Sequence, residues 1–496
     1  MTFRPYAAFT AAALAITATT SVAAQDFRAL ASQDLVTAQQ EIRENHPALV
    51  AGGPEAAAFR SYLDTGLAEA QALIGQVNSG DSHAYLMRYF AAGFRDSNLR
   101  ITPTFDLLGP YFATSWAGIA TGWRDGKYVV TYVADGVRRG PAIGSVVTEC
   151  NGIPIEEFAM EKLDRWEGDL TTEAGRVRSA PYLLWNRNNP FTRGVPQTCK
   201  FQDGRRRARD FDLRIQPVSP AAMETAYRAT VYMPGDVPLA IEQVNGRPWV
   251  HAHSLSEDAD WAAFNASIVA QADALRGPQG FVLDLRGANG SEFTSTRRAY
   301  GLVNRIWTPE FTVSRQPVAG NVTYRASQDN RDWYAETLAR MEADPLFVED
   351  NPEIIEETRG IVEAFDSALA AGQESFSLPG REPVADTGAP NPVQGPVIVL
   401  VDAGCAGGCL DVLDLLVNLP NVRIAGSTTA EDSIFVEPTV LRLPSNYADL
   451  TYGHKAWTAR ERGNNEPHQP AEGLRYTGNP ADEAAVRTWV SSLFGG

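Results

Sequence analysis

The chain is short of positive charge: 43 lysines and arginines stand against 60 aspartates and glutamates, a net −17 over 496 residues. Its one basic run, Arg205-Arg206-Arg207, follows Asp203-Gly204 and reads as a solvated hairpin edge. That balance excludes a nucleic-acid partner, because neutralising phosphates needs the opposite sign. Long apolar runs are missing too. Past the N-terminus no stretch approaches the roughly 18 residues a membrane span requires, so the mature chain is expected to have none. Cysteine is scarce, four in all, at Cys150, Cys199, Cys405 and Cys409, with no CxxC pair. The HxH at His251 and His253 has no third ligand within local reach, and two histidines on one strand face are more often packing or surface residues. No metal or other cofactor is expected.

The first 24 residues read as a secretory signal. Arg4 supplies the charged start, an alanine-rich run to Ile16 the apolar middle, and Val22-Ala23-Ala24 a small-residue cleavage site before Gln25. The mature protein is then a soluble exported one, periplasmic or secreted. In such a compartment an even cysteine count suggests disulfides, with Cys150 and Cys199 as one pair and Cys405 and Cys409 as candidates for a tight second.

About 470 residues remain, enough for two or three domains. Residues 25–110 read as a helical domain: Glu55 to Val77 is alanine- and leucine-rich, and a helix before it stops at His46-Pro47. Residues 111–220 turn to β texture, with Tyr128–Val133, Ser145–Cys150 and the hairpin signal Asn151-Gly152. The stretch Gly140–Ile155 is similar to the core of a PDZ-type domain, in which a strand edge receives an extended peptide. An α/β core follows over 221–325 and 376–496, interrupted by a helical insertion at 326–375 of two helices. Gly372 to Gly395, rich in proline and glycine, reads as a linker or flap.

The chain is organised around Pro396–Asp411, PVIVLVDAGCAGGCLD. Val397–Val401 is a strand of the kind buried on both faces, Asp402–Gly404 breaks it, and Leu410–Leu416 has helical apolar spacing. Strand, small-residue turn and helix is how an α/β protein presents a nucleophile beside free helix N-terminal amides. Here the apex holds Ala406, Gly407 and Gly408.

GFVLDLRGANG (Gly280–Gly290) resembles the DLRxNxGG signature of the tail-specific, or C-terminal-processing, serine peptidases, a family that includes tricorn-like proteases and retinoid-binding-protein repeats. VIVLVDAGCAGGCLDVLDLL resembles its strand and nucleophile turn, and GSTTAEDS (Gly426–Ser433) its downstream GExTxGKG segment. The resemblance implies an α/β fold with a crotonase-like ββα core, a PDZ-like β domain and an N-terminal helical domain. It also implies a proteolysis-related function, with peptides or unfolded C-termini as partners. The matching catalytic positions are degenerate. The nucleophile position is Gly407, the lysine position is Asp432, and the histidine of tricorn-like members falls on Asn98. A glycine cannot attack a carbonyl, and losing the nucleophile of a comparable triad costs on the order of 10⁶ in turnover. By the same resemblance, Gly290 and the Gly408 amide form the oxyanion hole.

Three readings follow. Catalysis is lost or much reduced and the protein binds peptide; or a displaced nucleophile acts; or the cleft holds a small hydrophobic ligand. For the second reading the candidates are Cys405 and Cys409, as thiols at a helix N-terminus, and the hydroxyls Ser427, Thr428 and Ser433. Glu466 and His468 are the acid and imidazole of the terminal stretch.

Overall fold

The structure is a computed structural model and describes residues 26–105, 109–235, 238–256, 260–290, 294–317, 320–380, 382–458 and 460–495. The signal reading of residues 1–24 lies outside the described residues. No described helix is long and apolar enough to cross a membrane.

The centre is a five-stranded sheet, ordered Leu239–Val244, Arg247–Ala252, Phe281–Asp284, Val397–Val401 and Val422–Gly426. The first pair is an antiparallel hairpin and the other pairings are parallel. Alternation explains the unbroken apolar run of the fourth strand. Val397, Val399 and Val401 point into a core under helices Trp261–Ala270, Ser295–Trp307 and Gly408–Leu416. Ile398 and Leu400 point the other way, against Val486 and Val490 of the terminal helix Glu483–Ser492. A central parallel strand is covered on both faces, so both sets of side chains must be apolar.

A second sheet is built on Ala448–Trp457, which pairs antiparallel with Arg100–Pro103, Phe435–Arg442 and Val322–Arg325. The N-terminal helices Phe27–Asn45, Pro54–Gln71 and Gly80–Ala92 share its core through Phe59, Phe90, Phe435 and Tyr452. Phe435–Arg442 and Ala448–Trp457 thus belong to this sheet and not to the parallel one. The insertion holds three helices, Gln328–Glu342, Pro345–Asp350 and Pro352–Ala370, instead of two. It rises from a strand pair, Val322–Arg325 with Ser375–Leu378, so the expected flap begins as a strand.

The β unit is a six-stranded sheet with helices Ile155–Leu163 and Glu173–Ser179 beside it. Asn151 and Gly152 both have positive φ, 50° and 80°, which a two-residue hairpin turn demands. Cys150 and Cys199 are directly opposite on neighbouring strands and are disulfide-bonded.

Candidate functional site

The turn after Val401 is pinned from both sides. Asp402 Oδ1 accepts the amides of Gly287 at 2.8 Å and Gly404 at 2.9 Å, tying this turn to the one after Phe281–Asp284. The Ala406 N–H donates to Ala288 O at 2.9 Å and the Gly408 N–H to Gly290 O at 3.2 Å. Gly407 sits between them at φ 57° and ψ −125°, outside the regions an L side chain favours. A Cβ there would lie 2.4 Å from Gly290 O.

One cavity of about 390 Å³ is lined by Gly407, Gly290, Asn98 and Asp432, together with Ala406, Ser97, Glu431 and Asn465. Positions matched from four separate stretches of sequence therefore meet at one place. Each of these positions is a glycine or holds a side chain engaged elsewhere. Asn98 donates its side-chain amide to Phe435 O at 2.9 Å, and its own backbone N–H is held by Asp96 at 2.9 Å. Asp432 lies between two guanidiniums, paired with Arg460 at 3.0 Å and with Arg462. The Gly408 amide expected in an oxyanion hole is engaged by Gly290 O, which also accepts from Ser295 Oγ at 2.9 Å.

The displaced nucleophiles fare no better. Cys405 and Cys409 are joined to each other and fully buried, so no thiolate stands at the turn, which corrects the thiol reading. The Ser433 hydroxyl is buried, accepts the Phe435 N–H and donates to Phe435 O, both at 3.2 Å, a local backbone role. Thr428 donates to Glu173 at 2.6 Å, and Ser427 lines a different cavity. Glu466 is exposed and accepts the Gly463 amide at 2.7 Å. His468 Nε2 meets Asp414 Oδ1 at 2.8 Å on the outer side of the Gly408–Leu416 helix. Neither Glu466 nor His468 lines the cavity at Gly407.

Sequence reasoning missed Glu431, the neighbour of the matched Asp432. Its side chain is nearly buried, Oε1 accepts the Thr172 hydroxyl at 3.0 Å, and Oε2 has no hydrogen-bond partner. Burial pushes its carboxyl above the usual range, against the pull of Arg178 at 3.6 Å and the Thr172 hydrogen bond. Alignment to a lysine position directs attention to residue 432, and only the fold reveals that its neighbour faces the cleft.

Asp411, in the first turn of the same helix, is pushed up to about 6 by burial and by the nearby Asp432 charge. Its Oδ2 accepts the Thr296 hydroxyl at 2.5 Å. A third histidine partner also escaped the sequence. Asp284 stands in register with His251 on the next strand, and His251, His253 and Asp284 form one cluster. Both Asp284 oxygens are already engaged, by Arg286 at 2.9 and 2.6 Å and by the Trp249 indole at 3.1 Å. Burial alone would raise Asp284, yet the Arg286 guanidinium more than offsets it and holds the carboxylate well below its usual range. His253 Nδ1 donates to Arg286 O at 2.8 Å, so the cluster braces the Arg286 turn.

No protein-family model matches the sequence, and no curated protein does. Among solved structures the chain is similar to mature CPAF, at 15% identity over 95% of this chain and 98% of that one, with a TM-score of 0.57. A serine-to-alanine variant of CPAF matches at 13% identity over 95% and 99%, with a TM-score of 0.58. A photosystem II D1 C-terminal processing protease matches more loosely, at 13% identity over 94% and 97% with a TM-score of 0.34, and nothing rests on it. The chain has the fold of CPAF along nearly its whole length. At the level of fold, the tail-specific-peptidase type expected from the sequence is the one observed.

Proposed function

We propose that the protein is an exported relative of the tail-specific serine peptidases that has lost hydrolysis and binds extended peptide in the cleft at Gly407. One observation carries this reading. The matched nucleophile, base and histidine positions line a single cavity, and they hold Gly407, Asp432 and Asn98. The cavity has no side chain at the matched nucleophile position, and its two turns are tied by hydrogen bonds from Ala406 to Ala288 and from Gly408 to Gly290. Two disulfides and a signal-like N-terminus support export.

The test is direct. The mature protein is incubated with unstructured peptides and a fluorophosphonate probe, and peptide binding is followed by fluorescence anisotropy. Saturable binding without cleavage or labelling is expected. Cleavage that disappears in a Ser433→Ala variant would overturn the reading.

A further inference from the structure

A second cavity, of about 330 Å³, lies at the carboxyl ends of the parallel strands, between the core and the β unit. Open α/β sheets bind ligands at that edge, and well-formed pockets favour such junctions. Its walls include Tyr232, Met233, Val401, Tyr476 and Trp489. The Tyr476 and Trp489 rings are 4.9 Å apart, and Tyr232 lies flat under the Arg286 guanidinium at 3.9 Å. The space is thus mostly apolar and aromatic.

Three of its four lining arginines are ion-paired, and the exposed Asp125 beside Arg124 also lines it. Arg286 is paired with Asp284 and Glu483, Arg475 with Glu173, and Arg178 with Glu431. Arg124 differs. Its Nη1 and Nη2 donate to the carbonyls of Trp123 and Thr230, its buried Nε has no partner, and no described carboxylate pairs with it. A desolvated guanidinium beside aromatic walls is left uncompensated, which favours an anion in the adjoining space. The buried acid that faces this space, Asp402, has Oδ1 held by two backbone amides, and burial pushes its carboxyl up. It opposes an incoming carboxylate less than a free aspartate would.

We infer that this cavity binds a compact aromatic carboxylate, its ring against Tyr232, Tyr476 and Trp489 and its anion completing the charge of Arg124. The site adjoins the Gly407 cleft, with Arg178 and Asn289 in the walls of both, but it does not depend on the function proposed for that cleft.

Calorimetric titration of the mature protein with 2-naphthoate, 2-naphthamide and 2-naphthylmethylamine tests it. Naphthoate is expected to bind saturably and about tenfold or more tighter than the amide, with the amine weakest. Arg124→Met should erase the preference for the acid. Met233→Trp, which fills the cavity and leaves Arg124 in place, should abolish binding of all three, and it decides the matter if Arg124→Met fails to fold. Equal affinity for acid and amide, or naphthoate binding that survives Met233→Trp, would overturn the inference. So would an absence of saturable binding at millimolar concentration.

Discussion

At Gly407 the backbone has φ 57°, and the Gly290 carbonyl occupies the space of a Cβ. Holding a side chain in such a backbone region costs roughly 1–3 kcal/mol before any collision is counted. Gly407→Ala should therefore lower the unfolding free energy by at least that much, read as a lower urea midpoint, and an unchanged midpoint would contradict the geometry. Gly407→Ser should remain silent towards peptides, because Asp432 and Asn98 are engaged elsewhere and offer no base. Asp411 carries a pH prediction. Its native value, about 6, exceeds the ordinary 3.8, so its protonation stabilises the fold below about pH 4 and that contribution is lost as pH rises through 6. Asp411→Asn should flatten this part of the thermal-melting profile and gain at most about 3 kcal/mol at neutral pH. A variant profile parallel to that of the parent would refute it.

At the scale of elements, the two disulfides do unequal jobs. Cys150–Cys199 closes a separation of 49 residues and Cys405–Cys409 one of 4. Loop entropy then assigns about 4 kcal/mol to the first and about 2 kcal/mol to the second. Replacing each pair with alanines and comparing chemical denaturation should give that order; the reverse order would rule the loop argument out. The strand-turn-helix at 397–416 was legible because a buried parallel strand and an amphipathic helix leave different periods in the sequence. Sheet membership was not. Thr439–Leu443 looks like any strand, and only its pairing with Ala448–Trp457 removes it from the parallel core. The third short helix of the insertion, Pro345–Asp350, is too brief to leave a periodic signal.

For the molecule as a whole, polar contacts help join the β unit to the core. Glu173, at the start of the Glu173–Ser179 helix, accepts from Thr428 at 2.6 Å and from Arg475 at 2.8 Å. Glu173→Ala should cost about 1–3 kcal/mol, read as a lower melting temperature, and a neutral result would place the adhesion elsewhere. Gly407, Gly290, Asn98 and Asp432, which the family resemblance singled out, line one cavity. The roles of Glu431, Asp284 and Arg124 were hidden. Each depends on what a neighbouring strand or loop brings opposite, and such contacts join residues far apart in sequence.

The zippered pair of turns also bears on what the proposed reading would require of any restored activity. A hydroxyl at 407 would be useless until the Gly290 carbonyl swung aside, and moving that carbonyl would gain nothing while 407 stayed bare. On the proposed reading neither change would help alone, so restoring hydrolysis would take both at once.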